Sequence, residues 1–109
     1  MQTCVRNERG QAIGRVEGDR LLLTRRRSRH WLRLVGGWAI DLNAVQQAVA
    51  LGARLVEIRD RETNVVYRAP LETLLEQGTV IDLGHSLQIA LAERHWEKSD
   101  TMQLRLLEV

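Results

Sequence analysis

Alternating apolar and polar positions predict short strands in the first third of the chain. The pattern indicates strands at Ala12–Val16, Arg20–Arg25 and His30–Val35. Between the first two, Glu17-Gly18-Asp19 is typical of a tight turn, because Gly18 can adopt a positive φ without steric cost. The three segments together predict an antiparallel meander.

A helix is predicted immediately after these strands. Asp41 suits its N-cap, since a carboxylate there can accept a backbone N–H of the first turn. Ile40 and Val45 have the spacing of a hydrophobic staple, and Gly52 stands where a left-handed residue ends a helix. The pattern predicts a buried face of Leu42, Val45 and Val49, with Ala44, Ala48 and Ala50 permitting close approach.

A second helix is predicted between Pro70, at its first position, and Gly78, just past its end. Leu71, Leu74 and Leu75 give it an apolar stripe. Between the two helices, Arg54–Asp60 alternates as a strand. We expect it to form a hairpin with Val65–Arg68, through a turn at 61–64.

The last third permits two interpretations. Leu87, Ile89 and Leu91 alternate, which favours a strand over Leu87–Trp96, although the Ala, Gln, Glu and Leu content is equally typical of a helix. Met102–Glu108 is predicted to be a closing strand. The order of elements predicts an α+β fold, a small single domain over residues 1–109 with a mostly antiparallel sheet and two helices.

Composition favours an ordinary globular domain in a reducing compartment. Of 109 residues, 44% are hydrophobic and 28% are charged. No apolar run approaches the roughly 20 residues of a membrane helix, so we expect no membrane partner. The N-terminus has no hydrophobic signal core, and the single cysteine, Cys4, excludes an internal disulfide. These features predict a cytoplasmic location.

Charge is distributed unevenly along the chain. Residues 1–35 contain nine arginines and three acidic residues, a net charge of +6, whereas the remainder has a net charge of −4. Such asymmetry indicates a partner for the basic part. Arginine also has the planar, fork-shaped donor group that suits phosphate.

The basic segment Arg25–Arg33 concentrates this charge. If Leu21–Arg26 paired with Arg29–Leu34 around a turn at Arg27-Ser28, every second side chain would share one sheet face. An indole among guanidinium groups is a platform on which bases can stack. Against this, charged residues at a hairpin tip are ordinarily just solvated, Trp31 also suits a core, and Arg-Ser is not a favoured turn pair. The predicted nucleic-acid-binding residues are Arg25, Arg26, Arg27, Arg29, Trp31 and Arg33.

Metal and catalytic signals are weak. His30, His85 and His95 have no zinc-like spacing, and no phosphate loop, nucleophile elbow or dinucleotide motif is present, so no cofactor is expected.

Asp41 followed by Glu57-Ile58-Arg59 loosely resembles the acidic pair and basic residue of the restriction-nuclease-like superfamily. That resemblance implies carboxylates that hold Mg²⁺. Arg59 stands where that superfamily has lysine, and arginine does not deprotonate.

The sequence therefore favours a non-enzymatic accessory or adaptor module that contacts nucleic acid or a nucleoprotein assembly through an Arg-rich hairpin. The first alternative is a protein-interaction or homo-oligomerising module without nucleic-acid binding, which pairs through an exposed sheet edge or an apolar C-terminal strand. The second alternative is a metal-dependent nuclease.

Overall fold

The computed structural model describes residues 2–25, 33–34, 37–60 and 64–100. The predicted α+β class, with mostly antiparallel strands and two helices, is confirmed. In chain order the elements are β1 Gln2–Arg6, β2 Ala12–Glu17, β3 Arg20–Arg25, β4 Arg33–Leu34, β5 Gly37–Asp41, α1 Leu42–Ala50, β6 Leu55–Asp60, β7 Val65–Pro70, α2 Leu71–Gln77, β8 Thr79–Asp82, β9 Leu87–Ala92, a 3₁₀ turn Glu93–His95 and β10 Glu97–Asp100.

The strands form two sheets. One has six strands in the order β1-β2-β3-β6-β7-β10, and the other has four in the order β4-β5-β9-β8. In the part of the chain that the structure describes, neighbouring strands are antiparallel except β3 and β6, which are parallel. A parallel pair needs a crossover connection. Here the chain passes through β4, β5 and α1 before it returns as β6, so the crossover contributes two strands to the second sheet.

An aromatic contact joins the two sheets. Trp38, from β5, packs against Tyr67, from β7, with ring centroids 4.8 Å apart and planes tilted by 56°. This tilted geometry is one that aromatic pairs favour. The contact lies within a core whose largest fully buried side chains are Trp38, Leu21, Leu23, Ile40, Ile58, Leu71, Leu74, Leu91, Val5, Val45 and Val56.

The predicted start and end of α1 are confirmed. The Ala44 N–H donates to Oδ1 of Asp41 at 3.0 Å, which is the expected capping bond. Ile40 and Val45, the two staple positions, both lie in the buried cluster. Gly52 follows the helix with φ of +91°, in the left-handed region. Local sequence therefore determines both ends of this helix.

Loss of the Asp41 cap should weaken the fold without touching any ligand. We expect Asp41→Ala to lower the free energy of unfolding by about 1 kcal/mol, because a buried N–H of the first turn loses its acceptor. Asp41→Asn keeps an acceptor oxygen and should be much closer to the parent in a urea titration. An Ala variant as stable as the parent that nevertheless loses nucleic-acid binding would contradict the capping role.

Two predicted core positions are wrong. Val49 of α1 is 43% exposed and Leu75 of α2 is 45% exposed. Both line an open groove of about 600 Å³ that the two helices leave between them, so neither side chain is covered. The second helix also starts one residue later than predicted, since Pro70 still pairs with Leu55 as the last residue of β7.

Of two local predictions from the second half of the chain, one is confirmed and the other is confirmed in part. The β6–β7 hairpin forms as expected, with Asp60 opposite Val65. Leu87–Ala92 is a strand, but its continuation to Trp96 is wrong because a 3₁₀ turn intervenes. That turn takes the chain from one sheet to the other, and the buried Trp96 indole donates to the Leu91 carbonyl at 3.1 Å. The predicted strand Met102–Glu108 lies outside the described residues.

Candidate nucleic-acid interface

The basic segment Arg25–Arg33 leads from one sheet to the other. Arg25 is the last residue of β3 in the six-stranded sheet, and Arg33 is the first residue of β4 in the four-stranded sheet. The other predicted binding residues lie outside the described residues: Arg26, Arg27, Arg29 and Trp31. The structure therefore fixes the backbone at the two ends of the segment.

The predicted hairpin register is wrong. Leu22 lies opposite Arg15 on one side and Glu57 on the other, not opposite Arg33. Arg33 instead pairs with Trp38 in the second sheet. The physical reason is that β3 already has a neighbour on each side, so no edge is left over Arg20–Leu22 for a returning strand.

Parallel pairing brings a further arginine to the start of this segment. Thr24 lies opposite Arg59, and Arg25 lies opposite Asp60. Val56, Ile58 and Asp60 of β6 are buried, whereas Arg59 is exposed on the other face. An exposed guanidinium therefore stands beside the point where the basic segment leaves the sheet.

Ion pairing distinguishes Arg59 from the other arginines on that face. Glu57 accepts from Arg68 at 2.6 Å and lies 3.8 Å from Arg20, and Arg15 lies 3.5 Å from Glu17. Arg59 has no carboxylate partner among the residues that the structure describes. Among the described residues no carboxylate neutralises its charge, which makes it available to a phosphate.

Sequence reasoning missed Arg59 as a binding residue. Alternation along Arg54–Asp60 does place it on the polar face of a strand. Its position beside Thr24, however, depends on pairing between segments about 35 residues apart, and no local pattern encodes that pairing. The predicted hairpin also paired β3 with Arg29–Leu34 rather than with β6.

The end of the six-stranded sheet collects several chain segments. Arg25, Asp60, Val65 and Asp100 are successive cross-strand neighbours at this end. The chain therefore leaves or enters the sheet at this end on its way to or from three segments: residues 26–32, 61–63 and 101–109. Loops at the carboxyl ends of parallel strands are a common position for binding sites.

The acidic pair of the nuclease hypothesis is not brought together. Asp41 ends β5 in the four-stranded sheet and caps α1, whereas Glu57 lies in the six-stranded sheet and pairs with Arg68 and Arg20. Within residues 2–25, 33–34, 37–60 and 64–100, no three His, Cys, Asp or Glu side chains are grouped as metal ligands. The helix cap explains the position of Asp41, and the ion pairs with arginine explain the position of Glu57.

The remaining chemical candidates that the structure describes belong to different elements. Cys4 is exposed on β1. His85 is exposed in the β8–β9 loop, and His95 accepts from Nε of Arg94 at 3.3 Å. His30 lies outside the described residues.

Neither helix in the described part of the chain has the length and apolar character to cross a bilayer. Comparison of the chain with protein-family models, curated proteins and solved structures finds no match.

Proposed function

We propose that this protein is a non-enzymatic accessory module that contacts nucleic acid, alone or within a nucleoprotein assembly, through the basic segment Arg25–Arg33 and Arg59. The observation that carries the proposal is the parallel pairing of β3 with β6. It sets an exposed arginine, which has no carboxylate partner among the described residues, beside the start of the most basic stretch of the chain.

The dimensions of the segment suit a polyanion. An extended chain reaches at most about 3.3–3.6 Å per residue, so the eight steps from Arg25 to Arg33 span no more than about 29 Å. One strand of B-DNA carries a phosphate every 3.4 Å of helix axis, so such a segment can follow several phosphates.

We assign the phosphate contacts to Arg26, Arg27, Arg29, Arg33 and Arg59. Arg25 is left out because its register position is opposite the carboxylate-bearing Asp60. Trp31 is assigned a different role, in which its indole stacks on an unpaired base. Phosphate contacts give affinity without sequence preference, so the module is expected to bind nucleic acid with little base specificity.

Removal of the Arg59 charge tests the proposal. Each phosphate contact contributes a slope of about −0.9 in log K against log salt, which corresponds to about eightfold in affinity at 100 mM salt. We expect Arg59→Gln to weaken binding of a fluorescent duplex by about that factor in a polarisation titration.

Arg54→Gln is the matched control. Arg54 is exposed and directly precedes β6, at the opposite end of that strand from Arg59, and it has no ion-pair partner among the described residues. Its loss removes the same charge and should change affinity less than twofold. Equal effects of the two variants would indicate a response to net charge, and the assignment of Arg59 would be wrong.

A further inference from the structure

The four edge strands of the two sheets differ in how they are protected. An edge strand presents unpaired N–H and C=O groups, to which another strand adds unless charges, bulges or covering groups prevent it. The edges are β1 and β10 in the six-stranded sheet, and β4 and β8 in the four-stranded sheet.

Side chains of α1 cover the end of β1. The Arg6 N–H donates to Oε1 of Gln47 at 3.0 Å. The Arg6 carbonyl accepts from Nδ2 of Asn43 at 3.0 Å and from Nε2 of Gln47 at 2.6 Å. These backbone groups are therefore already satisfied, and they cannot bond to an added strand.

Charge and length protect two more edges. In β10, Glu97, Lys98 and Asp100 place charges at three of four positions. In β4, the described strand is only two residues long and begins with Arg33. Charged and very short edges are features that natural sheets use against strand addition.

Among the residues that the structure describes, nothing covers the edge strand β8 in these ways. Its first three residues, Thr79, Val80 and Ile81, are uncharged, and in the described part of the chain it pairs only with β9. Val80 is 53% exposed, although it lies opposite the buried Ile89.

The apolar surface continues beside this strand. Leu87 is two residues from Ile89 in β9, hence on the same face as Val80, and it is 38% exposed. Leu83 follows β8 and is 36% exposed. The carboxylate of Asp82 accepts from the Gly84 N–H at 2.8 Å, so it is engaged in the following loop.

We propose that β8 pairs antiparallel with β8 of a second copy of this chain, which makes one eight-stranded sheet across a two-fold axis. A two-fold interface brings the same patch of both copies together, so the patch must complement itself. Thr79–Ile81 meets this requirement, because antiparallel pairing centred on Val80 sets the Val80 residues of the two copies opposite each other and each Thr79 opposite an Ile81.

Charge favours this arrangement over a parallel one. The two Asp82 side chains lie at opposite ends of the paired strands, about 14 Å apart along the strand direction at 3.4 Å per residue. The exposed Val80 and Leu87 side chains of the two copies are then brought towards one another across the new pair. This dimer does not depend on the proposed nucleic-acid contact.

Sedimentation velocity of the full chain over a range of concentrations tests the dimer. We expect the parent to sediment with twice the mass of one chain, and Val80→Lys to raise the dimer dissociation constant at least a hundredfold. Val49→Lys is the matched control, since Val49 is similarly exposed but lines the groove between the helices. A parent that stays monomeric at millimolar concentration would overturn the proposal, as would a dimer that Val49→Lys disrupts and Val80→Lys does not.

Disulfide trapping gives an independent readout. In a Cys4→Ser background, single cysteines are placed in turn at Thr79, Val80, Ile81 and Asp82. In an antiparallel pair about a two-fold axis, only the residue on the axis faces its own copy, so mild oxidation should link Val80→Cys chains. Efficient linkage at Thr79→Cys, Ile81→Cys or Asp82→Cys but not at Val80→Cys, or no linkage at any position, would contradict the proposed pairing.

Discussion

Trp38→Ala should destabilise the protein more than any other single truncation in its core. We expect the free energy of unfolding to fall by about 3–5 kcal/mol, since the change removes a large buried side chain and leaves a cavity that its neighbours fill only in part. Trp38 is 2% exposed and packs against Tyr67 of the other sheet. The variant therefore loses the aromatic contact that joins the sheets as well as buried area.

Urea unfolding followed by circular dichroism measures this effect. A domain of this size has a total stability of about 5–15 kcal/mol, so the expected loss is a large part of it. Leu51→Ala is the control, because Leu51 is 47% exposed and its truncation leaves no cavity. If Trp38→Ala unfolds at the same urea concentration as the parent, the two sheets are not held together by this contact.

Steep salt dependence of nucleic-acid binding is the second large expected effect. Four phosphate contacts from Arg26, Arg27, Arg29 and Arg33 give a slope of log K against log salt of about −3.6, and Arg59 brings it to about −4.5. Between 50 and 200 mM salt, affinity should then fall by more than two decades, because each contact releases a condensed counterion.

A double variant, Arg26→Gln with Arg29→Gln, checks this count. Its slope should be less steep than that of the parent by nearly two units. Asp41→Ala serves as the control for stability, since it weakens the fold through loss of the helix cap and keeps all the arginines. A double variant that binds more weakly but keeps the parental slope would indicate that these two arginines act through the fold rather than on phosphates.

Elements specified by neighbouring residues could be predicted from the sequence. Asp41 and Gly52 mark the ends of α1 through capping and left-handed geometry, and Pro70 and Gly78 bracket α2. The β6–β7 hairpin was predictable for the same reason, since only a short turn separates its strands. In each case a local interaction is strong enough to determine the structure.

Pairing between distant segments could not be predicted. The parallel β3–β6 contact joins residues about 35 positions apart, and it depends on a crossover through a second sheet. Alternation shows which residues share a face of a strand, but not which strand lies next to it. For this reason the sequence assigned Arg33 to a hairpin with β3 and gave no indication that Arg59 lies beside Thr24.

Burial at the ends of helices was also not predictable. The apolar spacing of Val49 and Leu75 is that of core residues, yet both line the open groove between α1 and α2. Helical periodicity identifies the apolar face, whereas the extent of its coverage depends on neighbouring elements.

The most direct test of the nucleic-acid contact is the slope of log K against log salt, measured for the parent and for Arg59→Gln with the same duplex. We expect a slope near −4.5 for the parent and near −3.6 for the variant, a difference of about one phosphate contact. Equal slopes would contradict the placement of Arg59 in the interface. The absence of any salt-dependent binding by the parent at micromolar concentration would contradict the nucleic-acid function itself.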